Sequence, residues 1–390
     1  MIRLLALAAA LAIFSMPAVA APPEDRLAAL RHGVNLTNWF RYPASLDPAK
    51  LRGYLSDAAM ADLRGAGFGF VRLAVQPEIL LSGDHLNPDR LALLLEAIRR
   101  LQGHGLAVVI APHPTTWRLE SRAEDRASLR AFWHGLARAL AGSDPRLTFP
   151  EVLNEPVFAQ DGAGWAGLQQ AVLAEIRGAL PHHTIVLTGQ DWGSLRGLLA
   201  LPPSSDANVV YSFHFYDPSE LTALAAYRPE LDAAALARLP FPMDPAACAP
   251  AAASTPDPAT AGLIRFVCAM EWNDDRLRQM FATAGVWARR NDAALLLGEF
   301  GASVRLNPKA RLAWLAAARM AAEREGIGWA LWGYDDGMGL DVSRPPPARP
   351  ALSPDALQAL GLGAPGLGAP GLGASRAAPA PARSPRRSAE

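Results

Sequence analysis

The chain has 390 residues, with 37 Lys and Arg against 37 Asp and Glu, so its formal net charge is zero. That balance argues against nucleic acid or an anionic membrane surface as the main partner. The 51% of hydrophobic residues can fill the core of one large domain or two ordinary ones. Ten tryptophans are a high count, and those not needed in a core suit flat apolar ligands such as sugar rings.

Residues 1–20, MIRLLALAAALAIFSMPAVA, combine Arg3, a short apolar run and Ala18-Val19-Ala20. This pattern predicts a cleaved secretory signal, since the run falls short of a membrane span. No other stretch is long and apolar enough to cross a membrane. The mature protein is therefore expected in the periplasm or outside the cell, as a monomer.

Short apolar runs then alternate with helical patterns. Strands are predicted at 32–38, 68–75, 106–114, 147–156, 183–191, 208–216, 293–300 and 327–336. Helices fill most of the intervals. Gly103 and Gly105, for example, suit a helix stop before the third strand. Continuously apolar strands imply a sheet covered on both faces, hence parallel βα units. Eight such units predict a (β/α)8 barrel over residues 27–360. A doubly wound open sheet is the runner-up, weakened because no glycine-rich phosphate fingerprint follows an early strand.

Between strands six and seven, residues 217–270 form a long loop insertion. It holds the two cysteines of the chain, Cys248 and Cys268. In an exported chain they are expected to pair and staple that loop, with free buried thiols as the alternative. No histidine lies near them, which argues against zinc. From 361 the repeats GLGAP, GLGAP and GLGAS predict a disordered tail to residue 390.

The strand ends carry the chemistry. Arg72 lies on strand two and His113 on strand three. Asn154 and Glu155 end strand four, while His214 and Tyr216 lie on strand six. Glu299 ends strand seven, and Trp332 lies on strand eight. A barrel brings all C-terminal strand ends to one face. Glu155 and Glu299 each follow an apolar strand directly, a costly place for a carboxyl that is neither paired nor used. Two carboxyls flanking one bond suit glycoside hydrolysis. One is protonated to donate to the leaving oxygen, and the other is ionised to attack or to activate water.

The motif LNEP around Glu155, with GEF around Glu299, resembles the cellulase-type glycoside hydrolase family 5, a group of retaining (β/α)8 glycosidases. The resemblance runs along the strand ends from about residue 32 to 340. It implies that Glu155 is the acid/base and Glu299 the nucleophile. It further implies site roles for Arg72 in FVRLAV, His113 in IAPHP, Asn154, His214 and Tyr216 in HFY, and Trp332 in ALWGYDD. For a retaining enzyme the two carboxyls should stand about 5–5.5 Å apart.

The expected substrate is a β-linked polysaccharide or oligosaccharide, first a β-glucan. A β-mannan and exo-acting glucosidase or glucanase action are the alternatives. Trp39, Trp117 and Trp192, with Phe40 and Tyr42, are placed as candidate sugar-contacting aromatics. The insertion is expected to wall off one end of the cleft. A non-catalytic carbohydrate-binding barrel is a rival class, although it would not need both glutamates. A metal-dependent deacetylase or an esterase is another. GQDWGSL is not a nucleophile elbow, and Asp335-Asp336 reads as a polar loop. No cofactor or metal is expected.

Overall fold

The computed structural model describes residues 21–340 and 351–363. The expected signal and all but the first three residues of the expected tail lie outside the described residues.

Eight parallel strands form the barrel: β1 (His32–Phe40), β2 (Phe70–Val75), β3 (Ala107–Pro112), β4 (Thr148–Pro150), β5 (Ile185–Thr188), β6 (Val209–Phe215), β7 (Ala294–Phe300) and β8 (Gly328–Leu331). They pair in the order β4-β3-β2-β1-β8-β7-β6-β5. The ring closes between β4 and β5 through a Glu151–Val186 bridge and a Val152 N–H donating to the Val186 carbonyl at 3.0 Å. A small antiparallel hairpin, Leu81–Ser82 with His85–Leu86, is an addition that the sequence pattern did not reveal.

Local chemistry explains the outer ring of helices. The helix Pro88–Gly103 starts where Asn87 Oδ1 accepts the backbone N–H groups of Asp89 and Arg90, with Pro88 in its first turn. It buries Leu93, Leu94, Ala97, Ile98 and Leu101, one stripe at helical spacing turned to the sheet.

Alternation along each strand builds the interior in layers. The lower layer is apolar and includes Phe70, Val109, Phe149, Val210, Leu296 and Ala330, with Leu30 plugging the base. Each large side chain here contributes about 1.5–3 kcal/mol by burial. Gly33 is needed at this level, because a Cβ there would lie 2.3 Å from the Phe70 ring.

Two residues further along the strands the interior turns polar, with Asn35, Arg72, Glu151, Thr188 and Ser212 all buried. On β7 the alternation breaks. Phe213 pairs with Leu297, yet His214 pairs with Glu299, so Gly298 is one extra residue in the strand. This bulge re-aims Glu299 inward. Only glycine fits, since a Cβ at 298 would lie 2.3 Å from Ser212 Oγ.

The insertion between β6 and β7 is helical and not a long loop. It comprises Ser219–Thr222, Ala233–Leu236, Pro245–Ala253 and Pro258–Ala269. A disulfide joins Cys248 to Cys268 across its last two helices, so the free-thiol alternative falls. No helix among the described residues is long and apolar enough to cross a membrane.

Candidate active site

Arg72 is the centre of the constellation. Its guanidinium is fully buried and all three of its nitrogens are engaged. Nε and one terminal nitrogen grip Glu151 at 2.7 and 2.6 Å. That terminal nitrogen also donates to Asn154 Oδ1 at 2.7 Å. The other donates to Glu299 Oε1 at 2.6 Å and to Asn35 Oδ1 at 2.9 Å. Burial by itself would lower the arginine's pKa, but the fields of Glu151 and Glu299 outweigh it and raise the value. The cation is therefore permanent.

Both oxygens of Glu299 are held. Oε1 accepts from Arg72, and Oε2 accepts from the Tyr216 phenol at 2.9 Å. Burial first, then Glu299 and Glu155, push that phenol well above its ordinary value, so Tyr216 remains a donor.

His214 sits between the two glutamates. Its Nδ1 lies 2.9 Å from Glu155 Oε1 and 3.6 Å from Glu299 Oε2. With the proton on Nδ1, His214 donates to Glu155. The nearest ligand atoms of Glu155, His214 and Glu299 all fall within 4.8 Å of one another. Such closeness fits the retaining separation and leaves no room for the water that an inverting pair requires between its carboxyls. The glutamates differ in exposure. The Glu155 side chain is 25% accessible and that of Glu299 is 4%. Glu155 can thus exchange a proton with a substrate or water, while Glu299 is enclosed.

His113 is buried at the end of β3, and both of its ring nitrogens lack a hydrogen-bond partner among the described residues. Burial first, then the charges of Arg41, Arg72 and His214, hold its pKa well below the ordinary value, so the ring is neutral. It stacks on Trp332 at 5.9 Å between centroids. Unpaired buried polar atoms at the mouth of a barrel are waiting acceptors and donors for a ligand. Asn154 has its oxygen on Arg72, and its amide NH2 makes no hydrogen bond to the described residues.

Beside Glu155 opens a cleft of about 440 Å³ whose lining includes Pro114, Trp117, Val157 and Trp192. Trp192 is 62% exposed, on a left-handed backbone with φ of 59°. Tyr227 projects from the insertion near enough to feel the charges of Glu155, Glu299 and Arg41.

Eight of the nine sequence-predicted site residues therefore meet at the C-terminal face: Glu155, Glu299, Arg72, His113, Asn154, His214, Tyr216 and Trp332. Trp39 does not. It is 1% exposed, packs on Tyr54, and donates its indole N–H to the Leu51 carbonyl at 2.7 Å. It is a core residue under the first top loop because the β1–β2 register shifts between Leu36 and Phe40, so the alternation that turns Asn35 inward no longer governs position 39. Phe40 is buried as well. Asp335 accepts from Tyr54 at 2.9 Å and Asn38 at 3.2 Å, and Asp336 accepts from Thr37 at 3.1 Å. These carboxylates brace the loop after β8. Sequence reasoning missed Glu151 and Asn35. The signal for Glu151 is its place two residues after Phe149, on the inward phase of an apolar strand.

An eight-stranded parallel barrel with paired carboxyls at its C-terminal mouth defines a class of enzyme-like (β/α)8 domains. Residues 32–337 match the family description "Cellulase (glycosyl hydrolase family 5)". The chain belongs to that family. It is 26% identical over 340 residues to Endoglucanase 3 of Fibrobacter succinogenes, covering 80% of this chain and 50% of that protein. It is 22% identical over 320 residues to Endoglucanase C of Acetivibrio thermocellus, covering 79% and 92% respectively. This chain thus spans about half the length of the first relative and nearly all of the second. The endoglucanase Cel5A of Thermotoga maritima superposes with a TM-score of 0.71 at 22% identity, over 87% of this chain and all of that one. At this identity the likeness speaks to the fold.

Proposed function

We propose that this protein is a retaining β-glycosidase that hydrolyses a β-linked glucan. In this reading Glu299 attacks the anomeric carbon and Glu155 gives its proton to the departing glycosidic oxygen. The bond from that oxygen to the anomeric carbon breaks, and a glycosyl ester to Glu299 forms. Water then attacks the ester, Glu155 takes back a proton, and the carboxylate of Glu299 is released. Arg72 and Tyr216 hold both oxygens of Glu299 and orient the carboxyl before attack. Asn154, anchored through its oxygen, offers its NH2 to the 2-hydroxyl, a bond that strengthens as positive charge grows on the ring. His113 offers two ring nitrogens to hydroxyls, and Trp332 gives the sugar an apolar face.

The observation that carries the reading is the pair of glutamates whose nearest oxygens lie within 4.8 Å, one enclosed and doubly hydrogen-bonded, the other reaching the cleft. Glucan as the substrate is supported by the endoglucanase names of the curated relatives. The leaving-group side would run along Trp117 and Trp192, because the proton donor lines that cleft. An exported location is supported by the disulfide, which persists in oxidising compartments, and by the leader pattern of residues 1–20.

The test is release of reducing sugar from a panel of β-glucans, mannans and xylans by wild type, Glu155→Gln and Glu299→Gln. Activity on a β-glucan, lost in both variants, is expected. The first product should carry the β anomer by proton NMR. A first-formed α anomer would mean inversion and would overturn the assignment of roles.

A further inference from the structure

Arg41 follows β1 directly, three strands round the ring from β4, which precedes Glu155. Its guanidinium carbon lies 4.8 Å from the centroid of the Tyr42 ring and 5.2 Å from that of Trp332. The two aromatic faces orient the cation without neutralising it. Among the described residues no carboxylate lies within ion-pair distance of Arg41, whereas Arg72 nearby has two. The Arg41 Nε is buried and has no acceptor among the described residues. A buried donor without a partner is costly, and a guanidinium fork is shaped for a planar anion. Its charge also reaches into the site, since it is among the causes holding His113 neutral. Trp332, the ring on which it rests, stacks on His113, so the cation borders the place where a sugar would sit.

We propose that Arg41 is a specificity-determining residue that binds a carboxylate carried by the glycone part of the substrate, so that the preferred β-glucan is an acidic one, with uronic acid units. The inference rests on the glycosidase reading above and deepens it. A neutral hydroxyl can satisfy the orphaned Nε. Only an anion also supplies the counter-charge that none of the described residues gives, and it would do so beside apolar ring surfaces that strengthen the attraction.

The experiment compares two β-1,4-linked glucose oligosaccharides of equal length. One is neutral, and the other carries a glucuronosyl unit on the non-reducing side of the cleaved bond. The measured quantity is the acidic-to-neutral ratio of kcat/KM at low and at high salt. In wild type the ratio should exceed one at low salt and fall as salt rises. Arg41→Gln should lower the ratio about tenfold or more, the scale of one lost charge-assisted hydrogen bond. Arg41→Lys should fall between the two, because it keeps the charge and loses the fork. A wild-type ratio at or below one, or an unchanged ratio in Arg41→Gln, overturns the proposal. Failure of the glycosidase reading itself would look different: neutral and acidic substrates would both survive Glu299→Gln.

Discussion

Glu151 and Glu299 share one arginine, yet removing their charges should have unequal consequences for stability. Glu151 and Arg72 are each completely buried and joined by two hydrogen bonds at 2.6 and 2.7 Å. Glu151→Gln keeps the shape but presents an amide NH2 to a guanidinium N–H. One charge-assisted bond is lost, and a donor faces a donor. Breaking a buried pair on one side costs about 3–5 kcal/mol, and Glu299 still partners Arg72, which puts the expected loss near 3 kcal/mol. At about 2 °C per kcal/mol for a domain this large, Tm should fall by roughly 6 °C. Glu299→Gln leaves the two-bond grip on Glu151 intact. It also removes a repulsion with Glu155: two charges within 4.8 Å of each other interact by about 3.5 kcal/mol or more at an effective dielectric of 20. At a pH high enough to ionise both glutamates, Glu299→Gln should therefore unfold within about 1 kcal/mol of wild type, or later. Thermal unfolding followed by circular dichroism reads both. If Glu299→Gln costs as much as Glu151→Gln, or Glu151→Gln costs nothing, then Arg72 is not anchored from below and the account of the site's support is wrong.

Gly298→Ala should destabilise by about 1–3 kcal/mol and lower kcat sharply, since the new methyl meets Ser212 Oγ and pushes Glu299 out of register. Adding Ser212→Gly should restore part of both, and no restoration would show that the bulge is not the cause. Trp39→Phe should cost about 1–3 kcal/mol by orphaning the Leu51 carbonyl, with KM unchanged; a several-fold rise in KM would return Trp39 to the sugar cleft. Burial, followed by the charges of Arg26 and Arg177, pushes His183 down from 6.5 to about 4. The unfolded chain then binds more protons between those values, so stability is complete above pH 6.5 and declines as pH falls toward 4. His183→Gln should flatten Tm against pH across that window, and an unaltered slope would remove His183 from the acid response. Chelators should leave activity intact, because Arg72, Tyr216 and His214 already engage the carboxylate oxygens a metal would use; loss on chelation with recovery on adding metal would contradict this.

The parts of the fold legible in sequence are those set by period. Continuous apolar runs such as FVRLAV, spaced by helical stripes, specify a covered parallel sheet, and the strand-end residues then converge because a barrel has a single C-terminal face. What stayed hidden depends on phase within a strand. Trp39 and Arg41 are two residues apart on the stretch that ends β1, yet one is core and the other is at the mouth. A strand that leaves the sheet at a loop no longer obeys simple alternation, so aromatic identity alone misplaced Trp39. Glu151 stands in FPEVLNEP four residues before Glu155, inside an apolar stretch where nothing local explains a carboxylate. The interior position makes sense only with Arg72 opposite, and that contact spans 79 residues. Glu299 shows the converse. Counting by twos from Leu296 places Gly298, not Glu299, on the inner face. The glutamate points inward only because Gly298 bulges, which a pattern with a fixed period cannot express. Irregularity is concentrated where the chemistry is. A regular barrel would have turned this carboxylate toward the helices, and the glycine before it is what makes the proposed nucleophile reachable.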